Sequence, residues 1–360
     1  MTVFNRRQCV FGLAAVLAGC QPDAEFEKKP EIIWRLVTAW PKRFPGLGQA
    51  AEMLARVVKV LSSGRFQIEV DGAPQLSSAS AKPTVFSQVS QNHAQMGHAA
   101  AYYWQAQIPA ASFFTAVPFG LTAQQMNSWL QFAGGMTLWK SLYRPFNVLP
   151  FQGGNTGAQM AGWFKKELHH LGDIQGLKMR IPGIGARVWQ QLGGEPIELA
   201  GDEILPALQQ GQIDAAEWMG PYGDLAFGLH KAASFYYYPG WQEPSTNLEF
   251  LVNLSAYEAL SAQYQQILEQ ATLMINQAVL DECTARNHAS LEELVDMHQV
   301  QVKPLPAEML QALRRESEKV VQQIAHTDPQ AERIYQSFKS FQVHTLAYQQ
   351  LAEIDLFAKN

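Results

Sequence analysis

The chain has 360 residues, 47% hydrophobic and 16% charged, with 27 basic against 32 acidic side chains and a formal net charge of -5. That length suits two domains with apolar cores of their own. A mildly acidic chain without a basic run excludes nucleic acid as a partner.

The amino terminus reads as an export signal. Asn5-Arg6-Arg7 is basic, Cys9 to Leu17 is apolar, and Leu17-Ala18-Gly19-Cys20 has the form of a bacterial lipobox. Basic, apolar and small residues in that order mark a secretory leader, and the run is too short to span a bilayer. The arginine pair also fits a twin-arginine signal. Residues 1–20 are therefore expected to be a lipoprotein signal, with Cys20 lipidated and 21–30 a polar linker. A lipid on Cys20 would be the sole attachment of a soluble body to the membrane. Beyond the leader only Cys283 remains, so no disulfide forms within the mature chain.

Glu31 to Ala39 alternates and predicts a strand. Leu47, Met53, Leu54, Val57, Val58 and Leu61 repeat at helical spacing, and Gly64 closes that helix. Phe66 to Val70 predicts a strand, Val85 to His93 a helix and Gln95 to Tyr103 a third strand. That β-α-β-α-β order implies a parallel sheet under helices. Thr122-Ala123-Gln124-Gln125 has capping-box form and starts a helix. A second α/β unit is read from about Val148. It has strands at Gln159–Phe164, Glu195–Leu199, Asp214–Glu217 and Phe235–Tyr238, with helices at Ala186–Leu192 and Glu203–Gln210. Leu248 to Val252 predicts a strand that returns the chain to the first unit.

Ser261 to Val300 holds no Gly and no Pro and predicts one helix of up to ~60 Å. After Pro329 the apolar residues Ile334, Phe338, Phe341, Val343, Leu346, Leu351, Ile354 and Leu356 go right round a helix, which calls for burial on several sides. No cover for it is evident within its own chain. The expected organisation is domain I at 31–147 and 248–260, domain II at 148–247, a spanning helix at 261–300, a strand and helix at 301–328, and a C-terminal helix at 329–360.

Clefts between two such domains, at the ends of strands, bind ligands. Arg180 ends a short strand before a turn, where its fork matches either a ligand carboxylate or a surface acid. Glu217-Trp218 and Trp241-Gln242-Glu243 each follow a strand, and Gln159 follows Asn155-Thr156-Gly157. Carboxylate, amide and carbonyl oxygens converging there would suit a hard cation, Na+ or Ca2+; solvated loop acids are the other reading of Glu217 and Glu243. His169-His170 reads as surface and His98 as a hydrogen-bonded core histidine. No nucleophile–base pair, zinc spacing, Walker or dinucleotide motif occurs, so no catalytic residue is assigned.

Several segments are similar to substrate-binding proteins of tripartite ATP-independent periplasmic (TRAP) transporters. They are Trp34 to Lys42, Met96 to Trp104, Phe113 to Leu121, Gly154 to Gly157, Lys178 to Gly183, Ala207 to Gly211 and Glu217 to Pro221. Tyr102-Tyr103-Trp104 and Pro239-Gly240-Trp241 resemble the subgroup that binds 2-oxo acids such as pyruvate, with lactate-binding relatives. The resemblance implies an α/β two-domain clamshell with a long domain-spanning helix and a C-terminal dimerisation helix. It implies that Arg180 pairs with the ligand carboxylate. It further implies that Gln159, Glu217, the Trp218 carbonyl and Glu243 hold a cation, with Asn155 and Tyr103 beside the substrate. Expected partners are a small organic carboxylate, the membrane permease subunits and a second copy of the chain. An enzyme acting on a keto or hydroxy acid and a ligand-presenting sensor lipoprotein are the rival functions.

Overall fold

A computed structural model describes residues 29–73 and 83–354. The signal, Cys20, most of the linker and Leu356 lie outside the described residues. Among the described residues eleven strands form two sheets: β1 Ile32–Thr38, β2 Phe66–Asp71, β3 Met96–Ala99, β4 Val148–Asn155, β5 Gly162–Phe164, β6 Lys178–Arg180, β7 Glu195–Ile197, β8 Ala215–Ala216, β9 Phe235–Tyr238, β10 Asn247–Asn253 and β11 Gln301–Pro304. The first sheet runs β2-β1-β3-β10-β4 and the second β11-β9-β5-β8-β6-β7. In β1 the alternation of Trp34 and Leu36 inward with Ile33 and Arg35 outward gives one buried face, the pattern of a strand covered on one side.

Three expectations are corrected. Val148–Asn155 is not the start of the second unit but an edge strand of the first sheet. The β1, β2 and β3 strands pair parallel as expected, and the returning strand β10 joins them antiparallel to both β3 and β4. The third strand stops at Ala99, and Ala101–Trp104 winds into a 3-10 turn in which Tyr103 N–H donates to the Ala100 carbonyl. That turn swings Tyr102 and Tyr103 off the sheet. The Gln159–Phe164 strand shortens to Gly162–Phe164, leaving Gln159 on a loop.

Two smaller differences follow from helix ends. The helix expected from Glu203 begins at Gly201, so Pro206 stands in its second turn rather than its first, and the helix continues to Gln210 regardless. The first half of the C-terminal helix, Pro329–Gln349, finds cover within its own chain. Ile334 and Phe338 are buried there, with the Phe338 ring edge-on to Trp129 at 5.3 Å. Trp129 and Trp139 in turn sandwich Phe114 at 5.4 and 5.2 Å. Stacked aromatics of this size dominate a core.

The spanning helix is Ala262–Asp296, roughly 52 Å long at 1.5 Å per residue. Near its middle Asn276 Oδ1 accepts from Gly154 N–H, and about three turns further on Asn287 Oδ1 accepts from Tyr222 N–H. One rigid element thus braces both sheets. Gly154 makes this fit possible: it adopts φ +128°, and a Cβ there would lie 3.1 Å from Val279 of the helix. Glycine alone adopts that conformation freely.

Candidate functional site

The two sheets meet where β4, β6, β8 and β9 end, and the predicted residues gather there. Arg180 closes β6 with its side chain 6% exposed. Its Nη1 donates to Glu217 Oε1 at 2.6 Å and to the Glu217 carbonyl at 2.8 Å. The guanidinium lies over the Trp218 ring, 5.2 Å from its centroid. Arg180 is therefore no surface residue, and the protein's own Glu217 already occupies part of its fork. Glu217 follows β8, held to β6 because its N–H donates to the Arg180 carbonyl at 3.0 Å.

Glu243 arrives on the loop after β9, whose Tyr238–Pro239 peptide is cis. Its carboxylate accepts a short hydrogen bond from the Thr246 hydroxyl. The same hydroxyl accepts from Gln159 Nε2 at 2.7 Å, and Thr156 Oγ1 accepts from that nitrogen at 3.1 Å. These bonds fix the Gln159 amide so that Oε1 is buried without a partner. The Gln159 loop can approach because residue 240 is glycine: a Cβ there would meet the Gln159 carbonyl oxygen at 2.2 Å. Glu217 Oε2, Trp218 Nε1 and Asn155 Nδ2 are also buried without partners. Asn155 Oδ1 accepts from Gly157 N–H at 2.9 Å, which orients that amide.

The electrostatics follow from burial. Desolvation pushes Glu217 well above the usual carboxylate range; Arg180 opposes this, while Glu243 and Asp224 add to it. Glu243 is pushed up to about 7 by burial, against its Thr246 hydrogen bond and Arg180. Two carboxylates face one guanidinium, so one negative charge lacks a partner, and an unpaired buried charge costs several kcal/mol. Burial lifts the Tyr103 phenol to about 12, so it stays a neutral donor.

A cavity of about 20 Å³ between the domains is lined by Trp40, Tyr102, Tyr103, Thr156, Gln159, Trp218 and Thr246. A larger pocket of about 230 Å³ adjoins it on the far side of Tyr102, Tyr103 and Arg180. The sequence reading thus brings Arg180, Gln159, Glu217, Trp218, Glu243 and Tyr103 together, with Asn155 next in the chain to Thr156. It missed Thr246, which lies three residues after Glu243 and organises both Glu243 and Gln159. It also missed Asp224. That buried acid accepts from Trp163 Nε1, Tyr236 OH and Met219 N–H, pinning the turn after Glu217. Only the separation of Asp224 from Glu217, less than two helical turns of chain, could have hinted at it. No cluster of three or more His, Cys, Asp or Glu able to hold a metal occurs among the described residues. The donors here are instead two carboxylates and an orphaned amide oxygen. That all-oxygen set fits a hard cation and disfavours zinc.

His98 is the core histidine expected: fully buried, with Nε2 2.8 Å from the Gly153 carbonyl. His169 and His170 are exposed, and His170 pairs with Asp173.

Residues 36–328 match the family model described as bacterial extracellular solute-binding protein, family 7. A monocarboxylate 2-oxoacid-binding periplasmic protein of Nostoc sp. is 40% identical over 325 residues, spanning 90% of this chain and 88% of that protein. A TRAP solute-binding protein of Colwellia psychrerythraea, solved with calcium and pyruvate, superposes with TM-score 0.87 at 35% identity, covering 92% of this chain and all of that one. One from Pseudoalteromonas atlantica, solved with sodium and pyruvate, gives TM-score 0.86 at 37% identity over the same shares. A Bordetella bronchiseptica relative, a dimer with calcium and picolinate in one site, gives 0.86 at 34% identity, covering 91% of this chain and 96% of that one.

Proposed function

The chain belongs to family 7 of the bacterial extracellular solute-binding proteins, and from that premise we propose that it captures a 2-oxo monocarboxylate together with a cation and delivers it to a TRAP permease. The observation that carries this reading is the Gln159–Glu217–Glu243 oxygen set facing Arg180, with Gln159 Oε1 and Glu217 Oε2 unpartnered. A bound Na+ or Ca2+ would supply the positive charge that the two carboxylates and an incoming carboxylate lack. Gln159, Glu217, Glu243 and the Trp218 carbonyl would hold it. Arg180 would turn its free nitrogens to the ligand carboxylate. The Tyr103 hydroxyl, the Asn155 amide and the Trp218 indole N–H would orient the substrate. Closing the domains on the ligand excludes water and strengthens each of these bonds.

The chemistry is binding rather than turnover. The one hydroxyl described beside a carboxylate here, Thr246 against Glu243, is tied up by Gln159 Nε2 as well, and burial pushes the free thiol of Cys283 up to about 12, away from the reactive thiolate. The test is a thermal-shift screen of 2-oxo acids with and without Na+ or Ca2+. Ligand at 100 times its Kd should stabilise the protein by about 2.7 kcal/mol. Product formed from the same acids would instead favour an enzyme.

Two further assignments belong to this reading. Cys20 carries lipid that holds the protein at the membrane, so Cys20→Ser should abolish acyl labelling in cells. The chain pairs through its C-terminal helix, where Val343, Leu346 and Leu351 are 55%, 51% and 77% exposed. These run on from a groove of about 150 Å³ lined by Phe119, Tyr335 and Phe338. Leu346→Asp should lower the mass measured by light scattering; a wild type that is monomeric at micromolar concentration contradicts pairing.

A further inference from the structure

Glu243 stands on a loop that one segment, Phe119 to Leu121, grips on both sides. Two residues before Glu243, the Trp241 carbonyl accepts from Phe119 N–H at 2.8 Å. Two residues after it, Ser245 Oγ donates to the Leu121 carbonyl at 3.2 Å. The gripping segment is held in turn by the last two long helices. Gln342 Nε2, on Pro329–Gln349, donates to the Phe119 carbonyl at 2.8 Å. Arg314, on Ala307–Ala325, lies over the Phe119 ring, 4.2 Å from its centroid. We propose that Gln342 and Arg314 are positioning residues for the cation site, acting through Phe119 on the loop that carries Glu243. The proposal rests on the binding reading above and adds to it a control of cation affinity by the C-terminal helices.

Three observations carry it. The first is the backbone of Phe119. It adopts φ +54°, a conformation that a bulky residue keeps only where its surroundings impose it. Its N–H is bonded to the site loop and its carbonyl to Gln342, so a single strained residue makes both contacts. The second is packing. Gly120 lets the C-terminal helix come close: a Cβ there would stand 3.1 Å from the Phe338 ring and 2.6 Å from the Val117 carbonyl oxygen. On its other side the Phe119 ring faces Trp241, with centroids 6.2 Å apart.

The third is what the loop carries. The Glu243 carboxylate accepts from Thr246 of the same loop, and the Thr246 hydroxyl accepts from Gln159. A shift of the loop therefore moves the acid, its hydroxyl partner and the Gln159 amide together. A hard cation such as Ca2+ needs its oxygens about 2.3–2.6 Å away, so a small shift lowers its affinity.

The experiment uses the full chain. Wild type and variants, stripped of metal, are first compared by amide exchange over residues 241–247. Gln342→Ala should exchange there at least about threefold faster, as a loosened segment does. Ca2+, and in parallel Na+, is then titrated by calorimetry at saturating pyruvate. Loss of one neutral hydrogen bond is worth about three- to tenfold, and Gln342→Ala should weaken cation binding by about that factor. Gln342→Lys keeps a donor and should restore it to within about twofold of wild type. Gln336→Ala, an exposed change on the same helix, should bind as wild type does. Arg314→Gln removes an exposed cation from the Phe119 ring and should weaken cation binding about twofold; it stands in if Gln342→Ala does not fold. A Gln342→Ala protein that melts lower yet binds the cation like wild type overturns the inference, since its helix would then be structural only. Unchanged exchange over 241–247 overturns it as well. A wild type whose pyruvate binding ignores both cations overturns the reading of the cation site itself, and wild type alone shows that failure.

Discussion

Two regions of the molecule bury acids, and they neutralise them differently. In the first domain Glu249 of β10 is fully buried. It accepts from Tyr143 OH at 3.4 Å, and that phenol accepts from Trp104 Nε1 at 2.8 Å. Its hydrogen-bond partner is neutral, and burial holds its carboxyl well above the usual range, which favours the protonated form. In the cleft Glu217 pairs with Arg180, Glu243 feels the same guanidinium, and Gln159, whose amide oxygen is orphaned, lines a cavity. A lone buried acid has only a proton to take up. Two acids near an unpartnered amide oxygen can exchange that proton for a cation. The company each acid keeps, more than burial itself, separates the two regions.

The largest effect expected is at Arg180. Arg180→Ala leaves two buried carboxylates without their cationic partner and should cost about 3–5 kcal/mol of stability. Pyruvate binding by calorimetry should be lost with it. Arg180→Lys keeps charge but not the fork and should lose about 2 kcal/mol of affinity. Wild-type affinity in both would reduce Arg180 to a structural residue like Glu249.

The next effect belongs to His98, in the structural region. Burial depresses it to about 4, partly offset by its bond to Gly153. Above pH 6.5 it is neutral folded or unfolded and costs nothing. As pH falls from 6.5 to 4, the unfolded chain takes up the proton and the folded one does not. About 3 kcal/mol of stability is therefore lost across that window. Urea unfolding of wild type and His98→Gln at pH 7 and pH 4 isolates the difference; equal pH dependence would contradict it.

Glu249→Gln should have the opposite sign. A raised carboxyl destabilises the fold as pH rises above its unfolded value, because the unfolded state then gives up the proton first. The variant should match the wild type at pH 4 and exceed it at pH 8. A variant less stable at pH 8 would mean that Glu249 is ionised and needs a cation as the cleft acids do.

Much of this was legible in the residues. Alternation located β1 and β2, an aromatic run located β9, and the Gly-free, Pro-free run from Ser261 marked the spanning helix. Residue types at strand ends made Arg180, Glu217 and Glu243 candidates, and the resemblance alone gave them ligand roles. Pairing between distant strands was not legible. β4 looks like the start of a new unit because its partner, β10, lies about a hundred residues on. Tyr102 and Gln159 sit in apolar runs that read as strand, whereas the local bonds that turn them out of the sheets depend on the folded context. The Arg180–Glu217 pair was hidden for a related reason. Sequence shows a fork and an acid, while their 2.6 Å contact arises from the parallel register of β6 and β8.

If the cleft acids are cation ligands, ligand binding depends on a cation. Calorimetric titration of pyruvate into protein stripped of metal, with its content confirmed as nil, tests it directly. Binding should be weak in cation-free buffer at pH 8 and restored by Na+ or Ca2+. Glu243→Gln should remove most of that restoration without lowering the melting temperature. Full affinity in the absence of any cation, in wild type and Glu243→Gln alike, would show that Glu217 and Glu243 only position Arg180.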